Sequence, residues 1–271
     1  MNKKNLFFIS IFAFCLTVVQ AQVSMGKWRT HFAYNSVKQI TQSENKIYAV
    51  SEGALFSVNK QDGGMEFYSK LTGLNGTAIS NIEYDTTDKI LLIIYSDGNI
   101  DFLSESGVKN LPDFYNKQMS ADKGVNDIVF ADKKAYLSCN FGIIILNMEK
   151  MEIQDTYYIG DNASEVKILN TTIYKTNIYA TSTSNIYYAS ASDPQLINYE
   201  SWKKLSGLPG TGNYETLKSF GDWLILKRGG KLYKMGTDNS WTNLETSNTF
   251  TGILVSGNYL LAFTPTDTYI F

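Results

Sequence analysis

Along this chain, short runs rich in β-branched and aromatic residues alternate with polar turns, and no stretch after residue 21 keeps the three- and four-residue spacing of an amphipathic helix. Residues 46–60, KIYAVSEGALFSVNK, set the unit: two apolar runs meet at Glu52-Gly53, which reads as a tight β-hairpin. The unit returns around Asp97-Gly98, Asn140-Phe141-Gly142, Ser184-Asn185, Arg228-Gly229 and Thr266-Asp267. Between Gly53, Gly98, Gly142, Asn185, Gly229 and Asp267 the steps are 45, 44, 43, 44 and 38 residues. A period of roughly 40 to 50 residues with several strands per repeat is the signature of a propeller blade. The expected fold is therefore all-β, a β-propeller of four-stranded antiparallel blades.

Blade boundaries follow from the same pattern: 37–74, 78–111, 125–159, 166–205 and 214–244, with a sixth blade opening at Phe250. One helical turn fits only in the link 113–120. Trp28, in a segment 28–32 that also holds His31, resembles Trp202 and Trp241, which are expected in the fourth strands of their repeats. The segment is thus read as the outer strand of a closing blade. On this reading the chain carries about five complete blades and a partial sixth of a seven-bladed ring. Residues 22–271 would then be an N-terminal propeller domain incomplete at its C-terminus, with roughly 60 to 70 further residues needed at the observed period.

The first 21 residues have a different character. Lys3 and Lys4 precede an apolar run, 6–19, and Val19-Gln20-Ala21 offers a small-residue cleavage site, the layout of a secretory signal peptide. Nothing later approaches the roughly 20 apolar residues of a membrane span. Without Lys3 and Lys4, 22 basic residues face 26 acidic ones, a net charge of −4. That balance argues against nucleic acid, which demands clustered Lys and Arg. Cys139 is the one cysteine beyond the leader, so no internal disulfide is available. Its neighbours Leu137 and Ile143 mark it as a small buried apolar residue.

Candidate chemistry is sparse. His31 is the single histidine, and no GxSxG, CxxC or HExxH motif accompanies it, so neither a catalytic group, a metal site nor a cofactor site is assigned. His31 is read as a closing-strand residue. The acidic residues Asp97, Asp101, Asp122, Asp127, Asp132 and Asp161 fall near turns, where Asp is favoured for its local hydrogen bonding. Ligand contacts are expected where the turns between second and third strands converge on one face, at Glu52, Asp97, Asn140, Asn185 and Arg228.

The opening WRTHFAY at 28–34, followed by KIYAVSEGALFSVNK and by FYSKLTGL at 67–74, resembles the N-terminal propeller of the PorZ family of the Bacteroidetes type IX secretion system. The resemblance covers 22–271 and implies a non-catalytic component in the periplasm or at the cell surface, associated with the outer membrane. It implies as partners a sortase, outer-membrane components of the attachment complex, and anionic lipopolysaccharide that is delivered to the sortase. Gly73-Leu74-Asn75 and Ile79-Ser80-Asn81-Ile82 also resemble the propeller repeats of two-component regulators, which keeps a ligand-sensing domain as the alternative. A glycan-active enzyme is the third class.

Overall fold

The computed structural model describes residues 34–236 and 240–271. These residues form six antiparallel sheets, each a meander in chain order, five of four strands and the last of three. Blade 1 consists of Val37–Gln42, Lys46–Ser51, Ala54–Asn59 and Met65–Tyr68. The inner strands of the following blades are Ile79–Asp85, Val125–Ala131, Asn170–Tyr174, Tyr214–Phe220 and Gly252–Ser256, and each contacts the inner strand before it. At the founding hairpin, Ser51 pairs with Ala54 while Glu52 and Gly53 take φ of 53° and 81°. Two successive positive φ values are what a type I′ turn requires, and its twist matches that of the strands it joins. Helix is confined to Asp113–Asn116 and three 3₁₀ turns among the described residues.

The core lies between blades. Tyr48, Val50 and Leu55 of blade 1 pack on Ile79, Ile82, Leu91 and Ile93 of blade 2, and four further clusters join each later neighbouring pair. Because middle strands are covered on both sides, they read as unbroken apolar runs; all six residues of Ile90–Tyr95 are buried. Each fully buried Leu, Ile or Phe contributes about 1.5–3 kcal/mol. Cys139 lies in this core as expected, and burial pushes its thiol up to about 12, which leaves it unreactive.

Inner strands are sheet edges, with backbone groups that the next strand of their own sheet does not use. Side chains of the preceding blade cover them. Gln39 donates from Nε2 to the Ile82 carbonyl at 2.9 Å and accepts from the Ile82 N–H at 3.1 Å. Asn170 does the same to Leu217, at 2.5 and 3.1 Å. Two residues on, Thr41 and Thr172 accept from the N–H groups of Tyr84 and Ser219. In blade 6 the corresponding register position is Gly252, opposite Phe263, so the amide latch is missing there.

The outer faces of the terminal blades carry exposed apolar residues, although Tyr34 packs on Phe56 and Phe67 of blade 1. Ile40 is 60% exposed, whereas Ile82 and Leu217, at the matching place in blades 2 and 5, are 0% exposed. Val37, Met65 and Phe67 are exposed on the same side of blade 1, and Leu254, Tyr259 and Ile270 are exposed in blade 6.

The strand pattern and blade limits match the sequence reading closely, but the blade count needs correction. The structure shows six blades rather than five and part of a sixth within a ring of seven. The 44-residue period reports how many strands make a blade; ring size depends on the wedge angle between blades, which that period does not encode. The seventh blade had been inferred from Trp28 and His31, and both lie outside the described residues. Trp241 opens the fourth strand of blade 5, but Trp202 immediately precedes the short fourth strand of blade 4, its Nε1–H donating to the Leu196 carbonyl.

Candidate functional site

A meandering blade places its 2–3 turn and its link to the next blade at one end, and its 1–2 and 3–4 turns at the other. Glu52, Asp97, Asn140, Asn185 and Arg228 therefore share one face, one per blade, as the sequence predicts. They do not form one constellation: among the described residues no hydrogen bond or ion pair links any two of them. Glu52 is exposed at its turn. Asp97 accepts the Asn99 N–H at 3.0 Å. Asn140 accepts from Asn126, and Asn185 donates to the Ser184 hydroxyl. Arg228 is a structural clamp: it donates to the Gly212 and Pro209 carbonyls and lies 4.2 Å from the Tyr214 ring centroid, holding the 207–212 loop.

Of the five, Asp97 lines a recess. This 250 Å³ hollow lies between blades 1 and 2, bordered by Asn75, Gly76 and Thr77 of the link and by Tyr95, Ser96, Asp97, Asn99 and Tyr115. Beneath it sits Asp101, fully buried, whose carboxylate accepts from Tyr95 Oη at 2.6 Å, the Asn75 N–H at 2.8 Å, Asn75 Nδ2 at 3.0 Å and Asn110 Nδ2 at 2.8 Å. Burial, and then the bond to Asp101, pushes the Tyr95 hydroxyl well above the usual phenol range, so it remains a donor. Gly76 has to be glycine because the Tyr95 ring occupies the place of a Cβ.

On the opposite face a 630 Å³ groove runs between the same two blades, lined by Tyr48, Tyr68, Tyr84, Lys46 and Glu66. Tyr48 and Tyr84 stack with centroids 5.9 Å apart. Lys46 meets Glu66 at 2.6 Å, and Tyr68 donates to Glu66 at 2.8 Å. The hydrogen bond holds the Lys46 ammonium above, and the Glu66 carboxyl below, its ordinary range. These polar groups satisfy one another.

A third cluster faces the axis. Lys218 of blade 5 reaches past blade 4 to Asp127 of blade 3, 3.1 Å from each carboxylate oxygen. Glu83 of blade 2, accepting from Thr41 at 2.9 Å, shares their field. Burial raises both carboxyls, while Lys218 draws them back. The turn explanation thus holds for Asp97 and Asp122, which accept N–H groups two residues on, and fails for Asp101 and Asp127. Their roles depend on cross-strand register and on contacts up to 91 residues away, which proximity to a Gly turn conceals. No metal-ligand cluster is present among the described residues.

The family described as TSS9, PorZ, N-terminal beta-propeller domain matches residues 47–203. No curated protein matches the chain in sequence. Among solved structures, PorZ of Porphyromonas gingivalis, described as an essential bacterial surface component of the type-IX secretion system, aligns with TM-score 0.77 and 24% identity over 90% of this chain. The chain spans about a third, 34%, of the length of that PorZ chain. Virginiamycin B lyase from Staphylococcus aureus aligns with TM-score 0.63 and 13% identity, over 87% of this chain and 84% of the lyase. The extracellular domain of the putative one component system BT4673 from B. thetaiotaomicron gives 0.64 and 15%, over 88% of this chain and 35% of that one. At these identities the structural likenesses speak to fold alone.

Proposed function

The chain belongs to the PorZ N-terminal β-propeller family of the type IX secretion system, and from that premise we propose that it is a non-catalytic binding and assembly component at the bacterial surface. In this reading it is exported through the leader at 1–21 and works beside the sortase and outer-membrane parts of the attachment complex, to which it helps deliver anionic lipopolysaccharide. The family match over 47–203 carries the proposal. No helix among the described residues is long and apolar enough to cross a membrane.

Two observations support the non-catalytic part. A histidine-to-alanine form of the similar virginiamycin B lyase is described as catalytically inactive, whereas this chain has one histidine, His31, which lies outside the described residues. The buried charged side chains, Asp85, Asp101 and Lys227, and the half-buried Asp127–Lys218 pair are tied to protein partners. The chain's net charge of −2 also gives a polyanion no long-range attraction, so recognition of such a ligand would depend on local contacts to its sugars. The face carrying Glu52, Asp97, Asn140, Asn185 and Arg228 is our candidate for it.

Deleting the gene in a bacterium that uses a type IX system is expected to leave secreted cargo without attached lipopolysaccharide, with the wild-type gene restoring it. Normal cargo attachment in the deletion strain would overturn the assembly role. The ligand-sensing alternative, favoured by the fold likeness to BT4673, instead predicts altered transcription with cargo intact.

A further inference from the structure

Asn75-Gly76, in the link between blades 1 and 2, is the one Asn-Gly step in the sequence. An asparagine followed by glycine readily loses its side-chain amide, because glycine has no side chain to shield its nitrogen and lets the backbone swing freely. Here the fold uses both residues. Asn75 donates its backbone N–H to Asp101 Oδ2 at 2.8 Å and its Nδ2 to Oδ1 at 3.0 Å, so one carboxylate grips it twice. Gly76 lies against Tyr95, whose ring fills the place of a Cβ. The junction thus keeps a labile pair because its packing depends on each member.

Deamidation requires the Gly76 nitrogen to reach Cγ of Asn75. That nitrogen gives its proton to water, bonds to Cγ and expels the side-chain nitrogen as ammonia; water then opens the cyclic imide at either carbonyl, leaving aspartate or isoaspartate. Water is freely at hand, since Asn75 is exposed. What the fold withholds is the approach of nitrogen to carbon. Asn75 cannot turn its side chain onto the following peptide while its backbone N–H and its Nδ2 are both held by Asp101. Asp101 is itself fully buried and fixed by Tyr95 Oη at 2.6 Å and Asn110 Nδ2 at 2.8 Å, so the clamp does not travel with Asn75. Either product removes the Nδ2 donor. Aspartate also sets a second negative charge beside the Asp101 carboxylate, where like charges repel, and isoaspartate routes the main chain through an extra carbon.

We propose that Asn75-Gly76 is a deamidation site that the closed blade 1–2 link holds shut, that opening of the link exposes it, and that its product keeps the link from closing as before. A transient opening thereby becomes permanent damage, which ties the lifetime of the propeller to this junction. The test ages the full chain in mildly alkaline buffer, folded or unfolded in urea, and follows the tryptic peptide 71–89 by chromatography and mass spectrometry, resolving its aspartate and isoaspartate forms. Asn75 is expected to react at least about tenfold more slowly in the folded chain, the factor for one hydrogen bond to a charged acceptor that has to break first. Equal rates in the two states overturn the protection. The effect of the product is read separately by comparing Asn75→Asp with Asn75→Ala in urea unfolding. Both lose the Nδ2 donor and only the first adds a charge beside Asp101, so its midpoint is expected to fall below that of Asn75→Ala. Asn75 is exposed in a link, so both variants leave the strands in place. Equal midpoints, or a higher one for Asn75→Asp, overturn the claim that the product spoils the junction.

Discussion

Replacing Asp101 by alanine is expected to lower the unfolding free energy by about 3–5 kcal/mol, the range for removing one partner from a buried, charge-assisted network. The carboxylate is 0% exposed and takes four hydrogen bonds from three residues: Asn75 in the link between blades, Tyr95 on the neighbouring strand and Asn110 opposite it. Alanine would leave these donors without an acceptor, in a site closed to water at its base, and the link that carries Gly76 and Thr77 would lose its anchor. Asp101→Asn should fall between, since it keeps one acceptor oxygen but turns a donor toward donors. Urea unfolding monitored by fluorescence measures the difference, with an unchanged slope indicating that the same surface is exposed. A loss below about 1 kcal/mol would mean that the four donors find other acceptors, and the network account would fail.

This carboxylate also marks where sequence reading stops. The hairpins were legible because Glu52-Gly53 and Asp97-Gly98 combine a turn signal with flanking apolar runs, so local chemistry and position coincide. Blade limits were legible for the same reason, repeated six times. Asp101 follows such a turn by a few residues and was grouped with turn formers, yet its role arises from pairing opposite Asn110 and from the Asn75 link. Gln39 and Asn170 look like ordinary solvent-facing polar residues in alternating strands, although each covers the edge of the next blade. Nothing within ten residues of either records the partner 43 or 47 positions away. The shared face of the five turn residues followed from topology, whereas the recess that Asp97 borders depended on Asn99 and Tyr115, which no motif singles out. Ring size was illegible because it is a property of blade-to-blade angle.

The axial cluster leads to the second large effect, in which Lys218→Met is expected to cost about 2–3 kcal/mol near pH 7 and progressively less on acidification. The side chains of Lys218 and Asp127 retain 26% and 22% exposure, so the cost should fall below the 3–5 kcal/mol of a fully dehydrated pair. Its pH dependence has a definite sign. Burial raises the Asp127 and Glu83 carboxyls above their ordinary values of 3.8 and 4.5, so the folded chain holds these protons more tightly than the unfolded one. Their contribution is therefore fully present below the ordinary values and is lost as pH rises through the raised ones. Lys218 limits that loss by drawing both carboxyls back down. Without it they should titrate higher still, and unfolding free energies measured from near neutrality down toward 4.5 should show the gap between variant and wild type closing. Asp127→Asn combined with Lys218→Met should recover most of the deficit at neutral pH, since the unpaired charge is then gone. A deficit that stays constant with pH, or one that the double variant does not relieve, would show that the aliphatic stem of Lys218, rather than its charge, holds blade 5 to blade 3.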